Sequence, residues 1–317
     1  MAPMPNEYLQ YAGRRRGMDH DRYEYRSMRQ HPIFRWPTGA GLAIAVVVHL
    51  ESFRLDADRF AIRPIGDPMV EFPDFWGYTR LEYGNRGGLE RVARVLEAAG
   101  VAVSCAVNSD VSMRYSAVVA EARDRGWEII GHGTSSSIVI HDGMRGREEE
   151  TLVHDALSSL REATGEPIRG WLSPSMSESQ DTLDVLAACG VEYVLDWVND
   201  DLPYELATTS GPLLSIPYAY ELNDLYVLGE VKQTTWDYVD QVIDGARCLA
   251  AESRVGAGRS MCLAIHPWIM GVPHRVGYFE SLLTRLRELS GVWWATPGDI
   301  ADAYMEITAA GRQQGAS

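Results

Sequence analysis

The chain has 317 residues, 46% of them hydrophobic and 23% charged, a balance that excludes a disordered or collagen-like protein. Its 44 acidic and 29 basic residues give a formal net charge of −15. A chain this acidic repels phosphate backbones and anionic lipid, which excludes nucleic acid and membrane surfaces as expected partners. Four cysteines (Cys105, Cys189, Cys248 and Cys262) are scattered with no CxxC pair. The polar N-terminus lacks a secretory apolar core, and no apolar run approaches the roughly 20 residues that span a bilayer. The reading is a cytoplasmic protein with reduced thiols and a small-molecule substrate.

Residues 1–35 are polar and rich in Arg and Tyr, and are expected to form an arm in subunit contacts. Residues 36–308 read as one domain, and 309–317 as a disordered tail. Ala43–Leu50 is a continuous apolar run of strand length, as expected for a strand covered on both faces. Leu89, Val92, Val95, Leu96 and Ala99 repeat at helical spacing before Gly100. Strands follow at 101–107, 127–131, 168–172, 191–196, 213–217, 261–266 and 292–295. The intervening helices are read at 113–125, 148–164, 178–189, 234–251 and 276–289, with a last one opening at Thr296-Pro297. Alternating strands and helices imply an α/β protein with a parallel sheet, and this length favours a barrel. No GxGxxG follows the first strand and no GxxxxGK[ST] occurs, which argues against a nucleotide-binding fold.

A β/α barrel carries its site at the C-terminal strand ends. There stand His49-Leu50-Glu51, Asn108, Gly131-His132-Gly133, Trp171-Leu172-Ser173, Asp196-Trp197-Val198-Asn199, Tyr220-Glu221 and His266-Pro267-Trp268. Acid/base groups gathered at one mouth suit hydrolysis of a carbonyl compound.

The order HLE, GHG, GWLSP, DWVNDDLPY and IHPWIMGVPHR, with YGNRGGLERV, resembles the polysaccharide-deacetylase (NodB-homology) superfamily over about residues 36–306. It is most similar to the cytoplasmic branch of deacetylase-type allantoinases and cyclic imide hydrolases. The resemblance implies a distorted (β/α) barrel of about seven parallel strands, hydrolysis of C–N or ester bonds, and a homotetramer. In the family, strand one carries a base and a metal-binding Asp, matched here by His49 and Glu51. Two metal-binding histidines on strand three match His132 and Ser136, so one ligand is lost. The Arg that holds the base is absent, and the general-acid histidine matches His266.

These departures favour ring opening of a small cyclic amide, imide or ureide with no required metal. The alternatives are a metal-dependent deacetylase or deformylase, with one zinc held by Glu51, His132 and His266, and a ligand-binding barrel without catalysis. In the favoured reading Glu51 or His132 activates water, His49 belongs to the same set, and His266 protonates the leaving nitrogen. The ring stacks on Trp171, Trp197 or Trp268 beside Ser173. Asn199 or the amides near Gly133 hold the oxyanion, Asp196 and Glu221 orient histidines or bind N–H groups, and Arg86 binds a carboxylate.

Overall fold

The structure is a computed structural model, described for residues 19–56, 71–144 and 147–315. Its centre is β1 (Leu42–Leu50), nine residues that are all buried. Parallel neighbours flank it, β2 (Val103–Val107) on one side and β8 (Arg259–Ile265) on the other, with Val48 level with Cys105 and Ile265. The sheet continues from β2 through β3 (Glu128–Gly131), β4 (Gly170–Trp171), β5 (Tyr193–Val194) and β7 (Leu213–Ser215) to β6 (Tyr204–Leu206). A short strand, β9 (Val292–Trp294), pairs with the start of β1. All pairings are parallel except β6 with β7.

The strands sort their side chains by parity, because successive residues face opposite sides of a sheet. Leu42, Ile44, Val46, Val48 and Leu50 join the outer core, while Ala43, Ala45 and Val47 join the inner one with Ala106, Ile130, Leu172 and Ala264. Small inner residues let the sheet curl tightly. The outer core is closed by the helices α1 (Leu89–Ala99), α2 (Glu148–Thr164), α3 (Thr235–Ser253) and α4 (Val276–Arg287). Each packs an apolar stripe such as Val153, Ala156, Leu157 and Leu160. The base of the curl is plugged by Trp36, Ile300 and Tyr304.

The expected strands are present, and β6 is an addition that follows Pro203. The curled sheet stays open, since β6 and β8 end it without pairing among the described residues. The helix read at 113–125 is two, Ser109–Arg114 and Ser116–Asp124, parted at Tyr115, whose hydroxyl donates to Glu82. The last helix runs from Pro297 to Gly315, past Ala309 where a tail was expected.

Residues 1–18 of the expected arm lie outside the described residues. Its described part packs on its own chain. Arg22 pairs with Asp184 at 2.8 Å, and the Tyr23 ring meets Trp197 edge-on at 5.8 Å. Among the described residues no helix is long and apolar enough to cross a membrane.

Candidate active site

Strand parity assembles the site. Residues 47, 49 and 51 share the inner face of β1 and its extension; Ile130 and His132 share that of β3, and Ala264 and His266 that of β8. His49, Glu51, His132 and His266 therefore converge where the strands end, each at most 5% exposed. They line a cavity of about 200 Å³.

Glu51 lies between two imidazoles. Its Oε1 is 3.9 Å from His132 Nε2, and its Oε2 is 3.9 Å from His266 Nε2. Ser136 Oγ donates to Oε1 at 2.9 Å, and Trp268 Nε1 donates to Oε2 at 3.2 Å. Asn85 Nδ2 donates to the Glu51 carbonyl at 2.6 Å. Burial pushes the Glu51 carboxyl up. The imidazoles of His132 and His266 and the Ser136 hydroxyl outweigh this and hold it at about 2.

His266 is held from behind. Its Nδ1 is 2.6 Å from Asp224 Oδ1, and its backbone N–H donates to Asp224 Oδ2 at 2.8 Å. Burial works against the imidazolium, but Asp224 and then Glu51 raise His266 above its ordinary value. His132 Nδ1 lies 2.5 Å from the Leu172 carbonyl, which only accepts. Nδ1 donates to that carbonyl, which leaves Nε2 turned toward Glu51.

His49 stacks on His266, centroids 4.0 Å apart and planes 20° apart. Burial, then the charges of His266 and His132, lower it well below the usual histidine range, so it is neutral near pH 7. Its Nε2 is 3.1 Å from the Tyr218 hydroxyl, to which Asn223 Nδ2 donates at 3.1 Å. With that donation in place, the phenol hands its own proton to His49 Nε2. Nδ1 is then a donor, and it has no hydrogen-bond partner among the described residues.

The segment after β7 walls the cavity with Tyr218, Tyr220 and Tyr226. The opposite lip is Ser173, Ser175 and Met176, and the backbone of the last two is left-handed, at φ 56° and 51°. Such strain in non-glycine residues is kept where surrounding structure imposes it, and it gathers at functional sites.

Several expected binding residues fall elsewhere. Trp171 is fully buried in the outer core, with Nε1 donating to Ser173 Oγ at 2.9 Å, so it offers no face for stacking. Trp268 is 5% exposed, is tied to Glu51, and lies under the Arg80 guanidinium at 5.2 Å. Trp197 lines a shallower neighbouring pocket, where its Nε1 bonds Glu178. Asn199 is engaged with Tyr23 and Tyr204 and does not face the cavity. Gly133 also lies off its lining, and its left-handed turn packs on Pro174. Glu221 and Arg86 are exposed and outside the lining. Asp196 acts through Ser173, accepting from its N–H at 2.7 Å and its hydroxyl at 3.1 Å. Burial and the neighbouring Glu178 push Asp196 well above the carboxylate range.

Asp224, Asn223, Tyr218, Asn108 and Asn85 were given no role from the sequence, although Asn108 stands among the strand ends read there. Asn108 ends β2 and ties the mouth together, accepting from Ser52 N at 2.8 Å and donating to the His132 carbonyl. For Trp171 a signal was available. It is adjacent to Leu172 on a strand whose even positions face inward.

Residues 78–194 match the family model for polysaccharide deacetylase. A Schizosaccharomyces pombe protein described as "Putative polysaccharide deacetylase" is 24% identical over 85% of this chain and 92% of its own length. The fold is shared with two solved structures. One is described as Puue Allantoinase (TM-score 0.75, 23% identity, 89% of this chain and 98% of that one). The other is a probable polysaccharide deacetylase from Pseudomonas aeruginosa PAO1 (TM-score 0.72, 23% identity, 86% and 93%).

The family resemblance implies a metal. Ser136 stands where that resemblance places a second strand-three histidine, with its hydroxyl on Glu51. His49, Glu51 and His266 offer donor atoms within 4.8 Å of one another. The rings of His49 and His266 are stacked, with centroids 4.0 Å and planes 20° apart, so the two do not both hold one ion in their ring planes at a metal–nitrogen bond of about 2.1 Å. The set expected from the sequence, Glu51 with the Nε2 atoms of His132 and His266 each 3.9 Å from it, has the donor types for one ion.

Proposed function

We propose that the protein is a hydrolase of carbon–nitrogen bonds other than peptide bonds, opening the ring of a small cyclic amide, imide or ureide without a resident metal. The observation that carries this is the buried Glu51 carboxylate facing two imidazole Nε2 atoms at 3.9 Å, one of them backed by Asp224. The described allantoinase of the same fold supports the choice of a ring substrate.

A gap of 3.9 Å is too long for a hydrogen bond, yet one water with legs of about 2.8 Å bridges it. Such a water gives one hydrogen to Glu51 Oε1 and the other to His132 Nε2. His132 takes the proton as the water attacks the ring carbonyl, and the ionised Glu51 stabilises the imidazolium that forms. The developing oxyanion accepts a hydrogen bond from His49 Nδ1–H, the donor left without a partner among the described residues. One preorganised donor of this kind contributes about 3–4 kcal/mol. His266, charged through Asp224, gives its Nε2 proton to the leaving nitrogen. The C–N bond breaks and the ring opens to an acid and an amine, amide or urea end, for a cyclic amide, imide or ureide respectively.

The test uses protein purified without added metal and assayed on succinimide, hydantoin, dihydrouracil and allantoin, with and without chelator. Chelator-resistant ring opening is expected, with turnover lower by about 10²–10⁴-fold in His132→Ala and His266→Ala. Absence of ring opening on the whole panel, or one tightly bound metal per chain with chelator-sensitive activity, overturns the reading. The latter favours a metal-dependent deacetylase, the activity named for the S. pombe relative.

A further inference from the structure

The cavity has a further polar group on its lining. Residues Leu225–Glu230 form a π-helical turn, which puts Leu225, Tyr226 and Glu230 on the cavity lining. The Tyr226 ring packs on Tyr220 with centroids 4.9 Å apart. Burial, then the Glu230 carboxylate, then Tyr226 and Glu221, raise the Tyr220 hydroxyl. Glu230 is half-buried, and among the described residues its carboxylate makes no hydrogen bond or ion pair. No Lys or Arg stands among the described lining residues to neutralise it. The cavity thus offers buried acid/base groups and, on the same lining as Tyr220 and Tyr226, a partly exposed carboxylate.

At about 200 Å³ the cavity is smaller than the roughly 300–1,000 Å³ that takes a drug-sized ligand. It suits one ring with a short arm rather than a saccharide chain.

We propose that Glu230 is a specificity-determining residue that accepts hydrogen bonds from an N–H-rich or cationic arm, such as a ureido or amino group, carried by a single-ring substrate. This inference rests on the ring-opening reading. A partly buried carboxylate on this lining favours such an arm and rejects an anionic one by charge.

The experiment compares kcat/KM for hydantoin, for the same ring bearing a ureido arm (allantoin), and for the ring bearing a carboxymethyl arm. The wild type, Glu230→Gln and Glu230→Lys are used as full chains, with thermal melts to confirm folding. The expected result is that Glu230→Gln lowers the ureido-to-bare-ring selectivity ratio at least about tenfold, chiefly through KM. That is the size of one hydrogen bond to a charged group. Glu230→Lys moves preference toward the carboxymethyl ring. If the wild type opens the rings but both variants keep its selectivity ratios, Glu230 has no such role and the ring-opening reading stands. If the wild type opens none of the three rings, the reading and the inference fall together.

Discussion

Replacing Asp224 with Asn tests the acid half of the mechanism. In the wild type the Asp224 carboxylate lies 2.6 Å from His266 Nδ1 and also accepts the His266 backbone N–H. Both side chains are almost wholly buried, so burial that disfavours the imidazolium is outweighed by Asp224 and Glu51. Asp224→Asn removes the larger of these two attractions, and burial then drives His266 down. Loss of an adjacent opposite charge moves a histidine by about one to three pH units. A drop of two units leaves about a hundredth of the acid form at a pH above both values, roughly 3 kcal/mol of lost proton-donating capacity. The alkaline limb of kcat/KM therefore shifts to lower pH by that amount, and activity recovers as the buffer is made more acidic. The same sign governs stability. A histidine raised in the folded state stabilises it below about pH 6.5, and the contribution is lost as pH rises through the folded value. A kcat/KM profile from pH 5 to 9 with its alkaline limb unmoved in Asp224→Asn refutes the assignment of His266 as the acid.

Two further expectations concern acid stability and packing. Glu51, held at about 2, stabilises the fold above its usual titration range and loses that contribution as pH falls toward 2. The effect is on the order of 3 kcal/mol. Melting temperatures measured between pH 2 and 7 should fall less steeply in Glu51→Gln than in wild type, and identical slopes contradict the electrostatic account. Gly88→Ala should destabilise the fold by about 1–3 kcal/mol, because the new Cβ meets the Pro267 carbonyl at 2.3 Å and pushes on the turn that follows His266. Urea unfolding measures the loss, and a neutral result means that the turn yields freely.

The residues His49, Glu51, His132 and His266 were legible before any coordinates because each ends or directly follows an apolar strand. A polar group there breaks the run, and strand parity carries it to the concave face. The same rule, applied to Trp171 beside Leu172, places that indole in the outer core. Indoles were expected as walls because Trp171, Trp197 and Trp268 stand at or just beyond strand ends, whereas the walls are Tyr218, Tyr220 and Tyr226. Asp196 and Glu221 were expected to orient histidines or bind N–H groups; the carboxylate behind His266 is the fully buried Asp224, three residues after the exposed Glu221. Nothing periodic runs through that segment, and its π-helical turn at Leu225–Glu230 alters which side chains share a face.

The amino-acid sequence by itself determined the alternation of strands and helices and the inward parity of the polar strand ends. These follow from local periodicity and from residue identity. Only the tertiary structure decided that His49 lies flat on His266, that Trp268 serves Glu51 with its N–H, and that Glu230 faces the same cavity. Those relations join positions up to 217 residues apart, and they depend on how far the sheet curls. Curl is a collective result of many packed side chains, so no single stretch of sequence encodes it.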